Sequence, residues 1–127
     1  MREFPLDNVT VIDFTQILAG PFCTMLLADM GANVIKIEKP NGGDDTRRFG
    51  PPFLNGESVA FIGINRNKRS MVLDLKTEIG IGVARSMIAK ADIMIQNSRP
   101  GAMERIGLNH ERVCIDNPGL IYCSISG

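Results

Sequence analysis

The sequence predicts an α/β fold, a Rossmann-like doubly wound and mainly parallel sheet with helices packed against it. Short apolar runs rich in β-branched residues recur along the 127 residues, and segments with helical spacing separate them. Glycine, proline and asparagine mark the turns between these segments. Strands that alternate with helices favour a parallel sheet, because each helix carries the chain back to the start of the next strand.

The first strand, helix and second strand form a predicted βαβ unit. Residues 9–14 are a β-branched apolar run, and residues 34–38 alternate between apolar and charged side chains. Pro21 suits the first position of the helix between them, and Gly31 suits its carboxyl end. Apolar residues recur between these two positions at near-helical spacing: Phe22, Met25, Leu26, Leu27 and Met30. The two strands are therefore predicted to be parallel neighbours.

The rest of the chain is predicted to continue this alternation. Residues 39–56 mix glycines and prolines with charged side chains, which predicts a long irregular loop of the kind that is usually functional or mobile. Further strands are predicted at residues 71–75, 93–96 and 120–125, and short helices at 58–65, 100–105 and 109–115. A helix should follow the last strand to cover the sheet, so we expect this chain to be the front part of a longer one.

One longer helix is predicted to begin after Thr77, whose hydroxyl can cap it. Its apolar residues share one face: Ile79, Val83, Met87 and Ile88. Gly80 and Gly82 are expected to weaken this helix by up to ~1 kcal/mol each relative to alanine. Ser58 is a candidate cap for the short helix that precedes it.

The composition excludes several classes of protein. Lys and Arg total 14 and Asp and Glu also total 14, whereas a nucleic-acid-binding protein needs a basic surplus. Hydrophobic residues make up 44%, too many for a disordered chain. The apolar runs are shorter than the ~18 residues of a membrane span, so no membrane association is expected. Three cysteines without metal-ligand spacing predict no metal site and a reducing, cytoplasmic location.

The first strand-to-helix turn lacks the glycine pattern of a dinucleotide site. Residues 13–21 contain one glycine, where NAD-binding folds carry GxGxxG. Glu38 ends the second strand, where NAD-binding folds carry the acid that binds the ribose. Without the glycines, Glu38 resembles that acid only in its position. The sequence therefore predicts no NAD, although the carboxyl ends of parallel strands still mark the expected ligand edge.

Three other features could carry chemistry. Residues 65–70 place three cations in one loop, which favours either a solvated loop or an anion site for phosphates. Asp13 and Asp74 lie in or next to strands, and each could serve as a catalytic carboxylate, although nothing in the sequence pairs with either. Residues 97–101 directly follow a strand and lie at the expected ligand edge, with Arg105 one helical turn further on.

Several motifs, in series along the chain, resemble those of one family. They are LAGPF (18–22), LLADMGA (26–32), VIKIE (34–38), GDDTR (43–47), NRNKRS (65–70), LDLK (73–76) and the RPG run that continues through Arg105 to Gly107. In this order they resemble the class III CoA-transferases, the family of formyl-CoA transferase and carnitine CoA-transferase. The α-methylacyl-CoA racemases share the same fold.

The resemblance implies that residues 1–127 are the CoA-binding N-terminal segment of a longer enzyme. In these transferases a nucleophilic Asp attacks the acyl-CoA thioester, and an aspartyl-CoA thioester later passes CoA to a second carboxylic acid. That Asp is expected beyond Gly127, so this chain is predicted to hold no catalytic residue and to be inactive alone. The resemblance also implies a homodimer of interlocked subunits, so the chain alone is expected to expose apolar surface and self-associate.

Nine residues are expected, by the same resemblance, to contact CoA: Ile17, Leu18, Ala19, Lys39, Leu73, Lys76, Asn97, Ser98 and Arg105. Leu18 stands where formyl-CoA transferase has a Gln that touches the reacting acyl group, which argues against formate or oxalate as a substrate. Lys39 stands where Arg is usual, so the charge is kept but the planar fork is not. Ser98 stands where Phe is common.

Two other functions stay open beside an acyl-CoA:carboxylate CoA-transferase. The chain could belong to a racemase or isomerase of acyl-CoA esters, in which a His/Asp pair outside this segment removes the α-proton. It could also be a truncated, non-catalytic CoA-binding module. The run at residues 65–70 looks more like the transferases, which favours the first function.

Overall fold

Five parallel strands form the central sheet in the computed structural model of this protein, which describes residues 3–126. The described residues contain seven strands in all: β1 (Thr10–Asp13), β2 (Asn33–Glu38), β3 (Phe53–Leu54), β4 (Glu57–Ser58), β5 (Arg69–Val72), β6 (Ile93–Gln96) and β7 (Ile121–Ser124). The sheet order is β5-β2-β1-β6-β7, and every neighbouring pair is parallel, while β3 and β4 form a separate antiparallel hairpin. The predicted doubly wound α/β class is confirmed.

Helices connect the strands. They are α1 (Ala19–Asp29), α2 (Val59–Ile64), α3 (Glu78–Ile88), α4 (Ala102–Arg105) and α5 (His110–Asp116), with a 3-10 helix at Asp45–Arg48. Among these described helices, none has the length and apolar character needed to cross a membrane.

Both predicted N-caps and the predicted glycine cap are confirmed. The Ser58 hydroxyl accepts a hydrogen bond from the Phe61 amide at 3.3 Å, and the Thr77 hydroxyl accepts one from the Gly80 amide at 3.0 Å. At the end of α1, Gly31 has a φ of 99°, which a residue with a Cβ rarely adopts. The amides of Gly31 and Ala32 then bond to carbonyls of the last turn at 3.0 Å each, so the helix ends in a Schellman motif.

Two predicted boundaries were wrong. Helix α1 begins at Ala19 rather than at Pro21; the proline fits anyway, because amides of the first turn have no partner within the helix. The strand predicted at residues 71–75 is β5, Arg69–Val72. Its partner β2 ends at Glu38, which pairs with Val72. The Glu38 carbonyl accepts a hydrogen bond from the Leu73 N–H at 3.0 Å, and the residues after Leu73 have no strand to pair with.

The loop predicted at residues 39–56 is more regular than expected. It contains the 3-10 helix, whose cap is the Asp44 carboxylate, and the first strand of the β3–β4 hairpin. Neither could be predicted, because a single turn and a two-residue strand are too short to show periodicity.

The core lies on both faces of the sheet, since neighbouring strand residues point to opposite sides. Val11 belongs to one cluster with Val34 and Ile95, on the side of α1, and Ile12 belongs to a larger cluster with Met94 and Ile88 of α3. The sheet is thus covered on both faces.

The buried face of α3 differs from the predicted one. Ile79 is 81% exposed, and the buried residues of the helix are Gly80, Ala84 and Ile88. The reason is a close approach at Gly80, where an added Cβ would lie 2.0 Å from the Asp74 carbonyl oxygen. The helix therefore packs through its smallest residue, which turns Ile79 outward.

This packing predicts opposite effects for two neighbouring glycines. Gly80→Ala should destabilise the protein by about 1–3 kcal/mol, the usual cost of overpacking. Gly82→Ala should stabilise it by up to about 1 kcal/mol, because Gly82 is exposed and an added Cβ meets no atom within 4 Å. Urea unfolding of both variants measures this, and equal effects would contradict the assigned packing.

Candidate functional site

A groove follows the carboxyl ends of the strands. The connection order reverses between β1 and β6, and open α/β sheets bind ligands outside the strand ends at such a point. Two cavities of about 580 Å³ each open there. They share the lining residues Gln16, Ser98, Ala102 and Arg105, so they form one elongated groove.

All nine residues expected to contact a ligand line this groove. The first cavity is lined by Lys39, Leu73, Lys76, Ser98 and Arg105. The second is lined by Ile17, Leu18, Ala19 and Asn97, again with Ser98 and Arg105. Residues from four separate segments of the chain thus meet at one edge of the sheet.

Sequence reasoning missed other residues of the groove, among them Gln16, Met103 and Ile106. Gln16 directly precedes the turn at residues 17–19, so its place in the chain was a usable signal. Met103 and Ile106 are three positions apart in and just after α4, a spacing that puts both on one helix face.

Four exposed cations line the groove, together with the carboxylates of Glu38, Asp45 and Asp74. Lys39 and Lys76 line the first cavity, Arg99 lines the second, and Arg105 lines both. The Lys39 ammonium lies 2.7 Å from the Asp45 carboxylate, and both side chains are nearly half exposed. Exposed cations at a concave edge suit phosphate groups, because hydrogen bonds between charged partners are the strong ones.

The turn between β1 and α1 is held by side chains from other segments. The Asn97 amide binds both backbone groups of Gln16: its oxygen accepts the Gln16 N–H at 2.9 Å, and its nitrogen donates to the Gln16 carbonyl at 2.8 Å. Asn97 therefore fixes β1 to β6 across the point where the order reverses. Leu18, the N-cap of α1, offers no side-chain hydrogen bond to the helix, so a ligand can approach the first amides.

Ile17 has an unusual backbone conformation in this turn. Its φ is 72°, in the left-handed region that β-branched residues avoid. Its amide points to the Asp44 carboxylate, with both oxygens 3.3 Å away. Asp44 in turn pairs with Lys36 at 2.8 Å, and both side chains are buried. Burial acts to raise the pKa of Asp44, but the bond from Lys36 and those from Thr46 outweigh it, so the pKa is lowered.

Asp13 has a structural role rather than the catalytic one that the sequence left open. Its buried carboxylate accepts hydrogen bonds from the amide and hydroxyl of Thr15 and from the Thr24 hydroxyl at 2.6 Å. The Lys68 ammonium lies 3.2 Å away and also donates to the Pro21 carbonyl at 2.9 Å. Burial lowers the pKa of Lys68, and the Asp13 charge opposes that shift.

The cations of residues 65–70 contact side chains of other segments of the fold. Arg66 pairs with Asp29 of α1 at 2.6 Å, and Arg69 donates to the Asn33 side chain at 2.8 Å. Lys68 is the buried partner of Asp13. These cations fasten the segment before β5 to the rest of the fold, and they lie outside the lining of the groove.

Glu38 holds the loop that follows β2. Its carboxylate accepts two bonds from Arg47, at 2.8 and 2.7 Å, one from Ser70 at 2.7 Å and one from the Asp44 amide at 2.9 Å. Burial acts to raise the pKa of Glu38, but these hydrogen bonds lower it to about 2, and the bonds from Arg47 contribute most to the lowering. Arg47 also stacks on the Phe61 ring at 3.9 Å, which ties the loop to α2.

Comparison with known proteins identifies the family. The sequence profile of CoA-transferase family III matches residues 6–127. The chain belongs to CoA-transferase family III. It is 46% identical over 123 residues to succinyl-CoA:glutarate CoA-transferase of Mus musculus, which covers 97% of this chain and 28% of that protein. It is 48% identical to acetyl-CoA:oxalate CoA-transferase of Acetobacter aceti, over 97% of this chain and 31% of that protein.

The solved structures agree with this membership of CoA-transferase family III. A CAIB/BAIF family protein from Brucella suis superposes with a TM-score of 0.94 at 44% identity, over 99% of this chain and 34% of that one. The chain spans about a third of the length of the relatives it matches.

The Glu38 site predicts how stability depends on pH. The folded pKa of about 2 lies below the ordinary 4.5, so the stabilisation is complete above about pH 4.5 and is lost as the pH falls towards 2. In Glu38→Gln the urea midpoint should be lower at neutral pH, and it should fall less between about pH 5 and pH 3 than in the wild type. A midpoint that falls equally in both proteins would contradict this assignment.

Proposed function

We propose that this member of CoA-transferase family III binds the CoA part of an acyl-CoA in the groove. The protein at its natural length then transfers CoA to a carboxylic acid, and residues 1–127 serve as its CoA-binding segment. The observation that carries the proposal is the meeting of nine residues, matched one by one to CoA contacts, along one groove at the reversal of strand order. The membership of the family and the names of its relatives support it.

The two cavities suggest how CoA lies along the groove. Lys39, Lys76 and Arg105 provide positive charge for its phosphates, and Leu73 provides an apolar surface beside the adenosine. Asn97 and Ser98 follow the pantetheine arm towards the second cavity. The thioester then lies against the turn at Ile17, Leu18 and Ala19, at the start of α1.

The proposed transfer is a series of substitutions at carbonyl carbon. An Asp carboxylate beyond Gly127 attacks the acyl carbonyl, and the C–S bond breaks to give a mixed anhydride and the CoA thiolate. The thiolate attacks the Asp carbonyl, which releases the donor acid and leaves aspartyl-CoA. The acceptor carboxylate then attacks aspartyl-CoA, which gives a second mixed anhydride and the CoA thiolate. The thiolate attacks the carbonyl of the acceptor, which forms the new acyl-CoA and frees the Asp carboxylate. Each step is an attack by carboxylate or thiolate, so the proposed chemistry uses neither NAD nor a metal.

The substrates proposed are an acyl-CoA and a short dicarboxylic acid. The names of the relatives support this class, since they include glutarate, mesaconate and malate as acids and succinyl-CoA as a recurrent donor. Oxalate also occurs in one name, but Leu18 argues against it here. Those names describe transfer, which also favours a transferase over a racemase. Leu18, which is 60% exposed beside the second cavity, places an apolar side chain near the acyl end.

A homodimer in the cytoplasm is the proposed state. Phe22 and Leu26 of α1 and its C-cap residue Met30 recur every four residues and are 48%, 45% and 40% exposed, so they form an apolar stripe. Helix α2 has no buried residue and adds exposed Val59 and Ile62. Contiguous apolar surface of this kind marks an interaction site. The three cysteines of the chain are unpaired, which supports a reducing compartment.

Light scattering tests the homodimer. The protein at its natural length should show the mass of two chains at micromolar concentration, because the apolar stripe needs a cover. A monodisperse monomer at high concentration would overturn the proposed dimer and leave the binding site untouched.

Calorimetric titration tests the binding proposal. CoA should bind to the protein at its natural length, and Arg105→Ala should weaken binding about tenfold through loss of a charge-assisted bond to phosphate. Arg112→Ala is the matched control, since Arg112 is exposed on α5 outside the groove, and it should leave the affinity unchanged. Heat from NAD instead of CoA, or equal losses in the two variants, would refute the proposal.

A further inference from the structure

We propose that the buried Lys36–Asp44 ion pair is a positioning device that holds Ile17 in its left-handed conformation and so shapes the ligand side of the turn at residues 17–19. The inference rests on the proposed function, because it assigns to that turn the contact with the CoA thioester. Neither charge of the pair lines the groove, so both residues act through the backbone of the turn rather than on the ligand.

The pair contacts the backbone on both sides of Gln16. The Lys36 ammonium, on β2, donates to the Thr15 carbonyl at 2.8 Å and pairs with the Asp44 carboxylate at 2.8 Å. That carboxylate accepts a hydrogen bond from the Ile17 N–H, and both of its oxygens lie 3.3 Å from the Ile17 nitrogen. Residues 15 and 17 are therefore fixed by one ion pair, while Asn97 fixes Gln16 between them.

Burial makes this arrangement specific. The Lys36 and Asp44 side chains are 2% and 1% exposed, so each charge needs a close partner. Asp44 is itself held in place, since its Oδ1 accepts the Thr46 amide at 3.0 Å and the Thr46 hydroxyl at 2.8 Å. The acceptor for the Ile17 amide thus has a fixed position before any ligand arrives.

The ion pair opposes the relaxation of Ile17 to a more favourable backbone conformation. A φ of 72° is unfavourable for any residue with a side chain, and more so for a β-branched one. The Ile17 side chain is 40% exposed, so core packing does not impose the conformation. The hydrogen bond to Asp44 is the contact that does, and residues held in this way concentrate at ligand sites.

Loss of the device should therefore weaken ligand binding through the turn. In Asp44→Asn the retained oxygen stays with the Thr46 donors, and the NH2 group replaces the oxygen that faces Lys36 and shares the Ile17 amide. With that acceptor lost, Ile17 relaxes to negative φ, and the ligand must restore the bound shape. The left-handed conformation is disfavoured by about tenfold or more for residues with a side chain, so the affinity should fall by about that factor. Glycine adopts positive φ freely, so Ile17→Gly should remove most of the dependence on Asp44.

A double-mutant cycle on CoA affinity tests the proposal in the protein at its natural length. Asp44→Asn should raise the Kd for CoA about tenfold in the wild-type background, and at most about threefold in the Ile17→Gly background. Tyr122→Phe is the control: it removes a hydrogen bond to the Leu108 carbonyl, outside the lining of the groove and outside the ion pair, and should change the Kd less than about twofold. Equal losses from Asp44→Asn in both backgrounds would overturn the proposal, because a merely structural role would not depend on residue 17.

Two further readouts keep the test decisive. If Asp44→Asn does not fold, Ile17→Pro replaces it, since proline removes the amide donor and fixes φ near −65° at a partly exposed position. Ile17→Pro should weaken CoA binding at least tenfold, and unchanged affinity would overturn the proposal. If the wild-type protein binds no CoA, the proposed function fails. Hydrogen–deuterium exchange at residues 15–19 of the ligand-free protein then decides the positioning role, which predicts faster exchange in Asp44→Asn and is overturned by unchanged exchange.

Discussion

Four charges are buried beneath the β1–α1 turn, two acids and two bases, and they require each other. Asp13 faces Lys68 at 3.2 Å, and Asp44 faces Lys36 at 2.8 Å. A buried charge is tolerated when it is paired and hydrogen-bonded, and removing one partner of such a pair is strongly destabilising. The end of β1, the middle of β2, the loop after β2 and the segment before β5 must therefore assemble together. Those segments surround the candidate groove, so its shape depends on the charge balance below it.

This arrangement changes the meaning of the motifs that carry the family resemblance. VIKIE contributes Lys36 and Glu38, GDDTR contributes Asp44 and Arg47, and NRNKRS contributes Lys68. From the sequence, the cations of NRNKRS left an anion site open. In the structure these charged residues form the supports of the turn and of the loop after β2. The proposed ligand contacts lie around them, and their cations Lys39, Lys76 and Arg105 are exposed at the groove.

The fold could be predicted from the sequence in most of its elements, because it depends on local signals. β-branched runs predicted the strands, and Ser58, Thr77 and Gly31 predicted helix ends through capping chemistry. The shift of β5 and the exposure of Ile79 could not be predicted, since one follows from where β2 ends and the other from a backbone contact at Gly80. Asn97, Ser98 and Arg105 were placed at the ligand edge by their position after a strand, and the other expected residues of the groove came from the resemblance. The burial of Lys36 had no signal in the sequence, because its partner lies in a loop without periodicity.

A crystal structure of the protein at its natural length with CoA bound is the most direct test of the proposed site. We expect the phosphates to lie beside Lys39, Lys76 and Arg105 and the pantetheine arm to pass Asn97 and Ser98. We also expect Ile17 to keep its positive φ, with its amide on Asp44. CoA bound away from the carboxyl edge of the sheet would contradict the proposed site. CoA in the groove with Ile17 relaxed to negative φ would contradict the role of the buried charges.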